Sequence, residues 1–314
     1  MTPFGLIGAA GYIAPRHMQA ISDSGHRLAI AADSSDSVGT LDRWFPAAQF
    51  VTHGPDFFSS VASLSKRSRP VVSICTPSDL HAAHSLAALA AGADVICEKP
   101  LVLDPADLDR FAAAERATGR RVASILQLRL HPQLRELRTR IAAMPATHVA
   151  DVDLAYITAR GPWYHVSWKG DEARSGGIVV NIGIHLFDLL CHLFGPPAGS
   201  VVHERTESRA GGFLDFPRAR VRWFLSVDEA DLPEAVRLAG KRAYRRLVID
   251  GEEAEFSDGF ADLHTECYRE ILAGGGPGIE ENRPAVELSH AIRTAPIAAR
   301  VGDYHPLLIA AGRS

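Results

Sequence analysis

Between residues 4 and 126 the chain alternates short apolar runs, rich in β-branched residues, with longer Ala/Leu-rich stretches of helical period. The runs at 4–7, 28–32, 71–75, 94–97 and 122–125 are continuous, which predicts strands buried on both faces. Helices are expected to start between them, near Ala14, Ser37, Asp79 and Pro105. This is the grammar of βαβ units around a parallel sheet. Ser78 and Asp104 stand at N-cap positions, the second followed by a proline where the first turn needs no N–H. After residue 127 the pattern alternates. Val221, Trp223, Leu225 and Val227 fall on one strand face and Arg220, Arg222 and Ser226 on the other, predicting an antiparallel sheet with one solvated face. Gly211-Gly212 is expected to form a hairpin turn between two such strands. Helical patterns at 262–272 and 284–300 close the chain. The expectation is two domains: a doubly wound parallel α/β domain over 1–126, and an α+β domain with a large, mostly antiparallel open sheet over 127–314.

At 314 residues each domain can bury its own core, and 46% apolar with 22% charged residues argues against disorder. A net charge of -4 offers no basic face to nucleic acid or to an anionic membrane, so a small-molecule partner is expected. Cys75, Cys97, Cys191 and Cys267 are far apart, form no C-x-x-C pair and read as reduced thiols of a cytoplasmic protein. Met1-Thr-Pro-Phe-Gly carries no basic n-region and no apolar stretch reaches the roughly 20 residues that span a bilayer, so neither secretion nor membrane insertion is expected.

The segment Gly8-Ala9-Ala10-Gly11-Tyr12-Ile13-Ala14 follows an apolar strand and opens a helix, the context of a phosphate-binding glycine turn in a Rossmann domain. Glycine lets the backbone approach a pyrophosphate, and the helix N-terminus presents unpaired N–H groups. Gly8, Ala10, Gly11, Tyr12 and Ile13 are therefore candidate cofactor contacts. The spacing is G-x-x-G-x-x-A, which by itself also suits a tight turn. Asp33 adds support, because it ends the second strand about 20 residues on, where an acid accepts the ribose hydroxyls; a turn or helix cap is its other reading. Ser34 and Ser35 follow with no cation for a 2′-phosphate, which favours NAD over NADP.

In an open parallel sheet, ligands sit beyond the carboxyl ends of the strands. Thr76-Pro77-Ser78 and Glu98-Lys99-Pro100 occupy such ends. A lysine there can pass a proton to or from a hydroxyl; alone it would read as a surface ion pair. These residues resemble the Gfo/Idh/MocA oxidoreductase family, as does Gly176-Gly177-Ile-Val-Val-Asn181-Ile-Gly183-Ile-His185-Leu-Phe-Asp188 with the apolar helix that follows it to Gly195. The resemblance covers nearly the whole chain. It implies that Lys99 and His185 face the nicotinamide and serve substrate binding and acid–base catalysis, with Glu98, Thr76, Pro77 and His81 at the cofactor. The family usually has aspartate where this chain has Asn181, four residues before His185 and so expected one helical turn away on the same face. An amide cannot take a proton, so Asn181 is expected to position substrate, leaving Lys99 and His185 as alternative bases. His185, Asp188 and His192 at i, i+3 and i+7 also permit a metal reading, but no further ligand pair is evident and no metal is expected.

The segment from Arg160 to Arg174 joins rings that stack on sugars and bases, Trp163, Tyr164 and Trp168, to the cations Arg160, Lys169 and Arg174. Taken with residues 8–18 and Gln127-Leu-Arg129, it resembles one subgroup, the UDP-N-acetylglucosaminuronate 3-dehydrogenases. The resemblance implies a UDP-sugar acid substrate, 2-oxoglutarate as an oxidant for NADH, and a homotetramer packed through the open sheet face. It adds Gln127 and Trp168 to the cofactor contacts. Arg129, Arg160, Tyr164, Lys169 and Asn181 join Lys99 and His185 at the substrate. Two other readings stand beside it. The glycine spacing also suits extended short-chain dehydrogenases, but no tyrosine has the required lysine four residues on: Tyr156 is followed there by Arg160. A non-catalytic NAD sensor would tolerate Asn181, but has no need of both Lys99 and His185.

Overall fold

The computed structural model describes residues 1–254, 256 and 262–310, with Ile309 and Ala310 described by backbone alone. It divides into two compact units, Met1–Leu130 with Phe260–Arg283, and His131–Gly259 with Pro284–Ser314.

The first unit is built on β1 (Pro3–Ile7), β2 (Arg27–Ala32), β3 (Gln49–Val51), β4 (Val71–Ile74), β5 (Asp94–Cys97) and β6 (Val122–Ser124). Their order is β3-β2-β1-β4-β5-β6, parallel throughout. The expected doubly wound sheet is present, with its switch point between β1 and β4. Every residue of β1 and β4 is buried, which is why these strands read as unbroken apolar runs. The connecting helices are α1 (Ala14–Asp23), α2 (Thr40–Trp44), α3 (Gly54–Ser65), α4 (His81–Ala90) and α5 (Ala106–Thr118). Asp104 accepts the Ala106 N–H at 2.9 Å as a cap, while Ser78 begins a 3-10 turn, Ser78–Leu80, that leads into α4. The edge strand β3 and helix α3 are additions to the expected pattern. At three residues, with no fully buried position, β3 is too short to carry a period.

The second unit contains α6 (Pro132–Ala143), β7 (Ala150–Thr158), α7 (Trp163–Val166), α8 (Glu172–Ser175), α9 (Gly177–Asn181), α10 (Ile184–Phe194), β8 (Gly199–Arg205), β9 (Arg209–Phe216), β10 (Ala219–Ser226), α11 (Glu234–Leu238), β11 (Ala243–Ile249) and β12 (Glu252–Ala254). Its sheet runs β12-β11-β7-β10-β9-β8 and is antiparallel except for the parallel pair β7/β10. Helix α10 covers the apolar face, Phe187 meeting the buried Trp223 edge-on at 5.3 Å. On the other face Arg222 pairs with Asp153 and Asp151, but Phe224 and Ser226 are buried, so only part of that face is wet.

Gly211 and Gly212 lie inside β9 instead of forming the expected hairpin turn; the turns fall at 206–208 and 217–218. The glycines answer to packing. A Cβ on Gly212 would come 2.1 Å from the Val201 carbonyl oxygen, and one on Gly211 would strike Leu308.

The chain then forms α12 (Leu263–Leu272), α13 (Ile279–Thr294) and α14 (Leu307–Ala310). Helix α12 belongs to the first unit. Its Leu263, Cys267 and Tyr268 share a core with Phe4, Met18 and Ile21, so that unit is discontinuous in sequence, unlike a linear division after residue 126. Pro284, expected to open the last long helix, lies within α13. Among the described residues no single helix is long and apolar enough to cross a membrane.

Candidate active site

At the end of β1 the chain turns through Gly8, whose φ is +92°. A Cβ there would lie 2.6 Å from the Cys75 carbonyl, so glycine alone lets the ends of β1 and β4 come this close. Gly8 donates its N–H to Ala32 at 2.8 Å and Gly11 donates to Gly8 at 3.1 Å, closing a tight loop ahead of α1. Ala10 and Ile13 are half-buried in that loop and Tyr12 projects, 86% exposed. The Asp33 carboxylate accepts from Ala10 N–H and from Ser35 N–H, each at 2.9 Å. The turn-capping reading of Asp33 is met, and the carboxylate also lies against the glycine loop. Each oxygen keeps a lone pair for a ribose hydroxyl. Gln127, on the turn after β6, has a buried Oε1 with no hydrogen-bond partner among the described residues. These features fit NAD: a cradle that a Cβ would fill, an acid at the end of β2, and an amide oxygen left to accept.

The ends of β4 and β5 are tied together. Buried His81 places Nε2 2.9 Å from the Thr76 carbonyl oxygen and Nδ1 2.6 Å from that of Pro100. His84 reaches the Thr76 hydroxyl at 3.1 Å, and Pro77 is half-buried beside it. His81, expected beside the cofactor, is thus a staple between two turns, and burial pulls its pKa down although both carbonyls favour the cation. Lys99 is half-buried and precedes a cis peptide to Pro100. Glu98, also expected at the cofactor, turns its carboxylate inward. It meets His17 Nε2 at 2.8 Å and His264 Nε2 at 3.2 Å, and accepts the Lys99 N–H at 3.2 Å. Arg129 donates to the Glu281 carbonyl at 2.6 Å.

In the second unit the expected aromatic and basic residues do come together. The Lys169 ammonium lies 5.4 Å from the Trp163 ring and 5.7 Å from the Trp168 ring, and the Arg160 guanidinium is 6.0 Å from Trp163. Asn181 donates to the Tyr164 hydroxyl and to the Lys169 carbonyl, both at 3.5 Å. Burial pushes the Tyr164 hydroxyl up to about 12, so it stays a neutral donor. Burial, with Arg160 adding repulsion, lowers the pKa of Lys169. Asn181 and His185 do not share one helical face as expected. Asn181 ends α9 and His185 sits in the first turn of α10, across a 49° bend. Gly183 permits the bend, since its Cβ would lie 2.3 Å from the Val179 carbonyl oxygen and 2.7 Å from Leu225. His185, Asp188 and His192 do not gather as ligands. Among the described residues the group close enough to hold an ion is His17, Glu98 and His264.

The sequence reading missed His17, His264, Tyr268 and Ser73. Only the i, i+4 pair His264 and Tyr268, polar groups on the apolar face of α12, hinted at a buried network.

The Gfo/Idh/MocA family model described as an oxidoreductase family with an NAD-binding Rossmann fold matches residues 3–125, and the family's C-terminal α/β domain matches 147–232. The chain belongs to this family of oxidoreductases. It is similar in structure to the WlbA (WbpB) dehydrogenase from Thermus thermophilus in complex with NAD and UDP-GlcNAcA. Identity is 46%, the TM-score is 0.94, and 98% of this chain and 99% of that one are covered. A second complex of that dehydrogenase, with NAD and alpha-ketoglutarate, matches equally. Among curated relatives, D-glucoside 3-dehydrogenase from Escherichia coli is 26% identical over 212 residues, 65% of this chain and 55% of that one. The chain spans about half the length of the curated relatives it matches.

Proposed function

We propose that this protein oxidises the C3 hydroxyl of UDP-N-acetylglucosaminuronate to the 3-keto sugar, with NAD+ as acceptor. The reading is carried by the full-length likeness, at 46% identity, to a dehydrogenase that holds NAD and UDP-GlcNAcA. When bound, the nicotinamide supplies the acceptor for the hydride leaving C3. The chain's own residues do the rest. Asp33 takes the ribose hydroxyls and Gln127 accepts through its unpartnered oxygen. Lys99 removes the hydroxyl proton, with His185 the alternative base. Asn181 has no proton to lose and Tyr164 remains neutral, so both position by hydrogen bonding. Lys169 and Arg160, held against indole rings, pair with the uronate carboxylate.

The same reading includes 2-oxoglutarate as the oxidant that restores NAD+, a cytoplasmic homotetramer, and a place in the synthesis of surface polysaccharide. The test follows NADH absorbance with UDP-N-acetylglucosaminuronate and with UDP-N-acetylglucosamine, each with and without 2-oxoglutarate. Only the uronate should be oxidised, and its product should accumulate further with 2-oxoglutarate. A protein that binds NADH yet leaves the uronate untouched defeats the proposal.

A further inference from the structure

We infer that Ser73, Tyr268, His17 and His264 form a buried hydrogen-bond relay that ends on the Glu98 carboxylate and fixes the Lys99 turn, making them positioning residues for the reaction. The inference rests on the reading of Lys99 as the acid–base group.

The contacts run Ser73 Oγ to Tyr268 Oη at 2.6 Å, Tyr268 Oη to His17 Nδ1 at 2.6 Å, and His17 Nε2 to Glu98 Oε1 at 2.8 Å. His264 Nε2 reaches the same oxygen at 3.2 Å. An ionised carboxylate only accepts, so both imidazoles donate from Nε2. His17, neutral because burial pulls its pKa down more than Glu98 raises it, then accepts at Nδ1 from the tyrosine hydroxyl. The tyrosine oxygen in turn accepts from Ser73. His264 Nδ1, buried with no partner among the described residues, is then a bare lone pair, less costly than an orphaned N–H. Every proton has one consistent place, and all of them point toward Glu98.

The Glu98 carboxylate accepts from two imidazoles through Oε1 and from the Lys99 N–H through Oε2, so the residue that carries the ammonium is anchored at its own amide. Burial alone would raise the Glu98 pKa. The bonds from His17 and His264 outweigh it and hold the group well below the usual carboxylate range. The other groups facing Glu98 are Cys75, Cys97, His81 and Tyr268, whose thiols and hydroxyl are held neutral by burial. Helix α1 supplies His17 and α12 supplies His264 and Tyr268; neither helix holds a residue of the proposed reaction.

The experiment compares wild type, His264→Leu, His264→Gln and Glu98→Gln by the pH profile of kcat and by the infrared carbonyl stretch of a protonated buried carboxyl. In His264→Leu the acid limb of kcat should move up by about one pH unit, because a lost donor lets burial raise the Glu98 pKa. Neutral kcat should fall about tenfold through misplacement of Lys99, with KM for NAD+ unchanged. His264→Gln, which keeps a donor near the Nε2 position, should restore both. Glu98→Gln should have no such acid limb. A protonated-carboxyl band should appear in His264→Leu at a pH about one unit above that at which it appears in wild type, and be absent from the His264→Leu/Glu98→Gln double variant. Activity lost equally at every pH, with no such shift of the band, would overturn the relay. A wild type that leaves the uronate untouched defeats the functional reading instead, and the infrared band still judges the relay.

Discussion

In the first unit the residues expected to carry chemistry hang from the carboxyl ends of β1, β2, β4 and β5, held by main-chain hydrogen bonds and a buried imidazole staple. In the second they hang from a loop and the short helices α7 to α10, and their contacts are ring faces at 5–6 Å and amide contacts at 3.5 Å. The first arrangement is set chiefly by backbone, with a few buried side chains, His81 and the Glu98 relay, as its supports. The second is made mostly of side chains, each of which a loop can replace. On the proposed reading, cofactor recognition rests on strand ends and substrate recognition on a loop and short helices, the kind of segment that tolerates change.

The comparison can be pressed hardest at Lys99. Lys99→Ala should lower kcat about a thousandfold while NADH affinity, read by fluorescence titration, stays within about threefold. A variant with a tenth of wild-type turnover would remove the lysine from the chemistry. Next comes pH. His305, buried in the second unit with its ring stacked on Phe224 and its Nδ1 accepting the Leu307 N–H, has its pKa lowered to about 4, burial being the chief cause. The unfolded chain binds a proton here at about pH 6.5 and the folded one only near 4, so stability is full above 6.5. It should fall by about 3 kcal/mol as pH drops across that window. Urea titrations at several pH values should record this loss, and His305→Phe should flatten it. Glu98 has the opposite origin, a depressed acid, and its contribution is lost only at lower pH, so the two units should weaken in different windows.

Gly8→Ala should weaken NADH binding about a hundredfold, since a side chain at φ +92° costs roughly 1–3 kcal/mol before its Cβ meets Cys75. Lys169→Met should raise KM for the uronate about tenfold and leave kcat within about threefold, the mark of lost uniform binding. An equal fall in kcat would move Lys169 into the reacting geometry and blur the contrast between the units. The smallest effect should come from a chelator: His17, Glu98 and His264 satisfy one another, so dialysis against EDTA is expected to leave turnover unchanged.

How far the sequence disclosed all this follows the same division. The parallel sheet was readable because β1 and β4 are buried on both faces, and the glycine turn because its backbone demand admits one residue type. The aromatic and cationic loop was readable as a composition. The break at Gly183 was not, because the run from Gly177 to Phe194 stays apolar across a bend that only close packing on Leu225 reveals. Gly211-Gly212 misled for a related reason. Two adjacent glycines announce a turn, and nothing local shows a carbonyl 2.1 Å from where a Cβ would stand. The Glu98 relay was hidden by distance, since His17 and Tyr268 are 251 residues apart.

That separation has a consequence for how the protein is made. The strands of the first sheet have all been synthesised by residue 124, yet His264 is added 166 residues after Glu98, on the order of ten to thirty seconds of translation. Until then the nascent chain carries a carboxylate with no imidazole from α12 to hold it and a core that lacks Tyr268. The second unit also waits, since Leu308 is part of its core. Each unit therefore completes its core only after a segment made well after its sheet has emerged, and a messenger cut short after either sheet should yield neither unit folded.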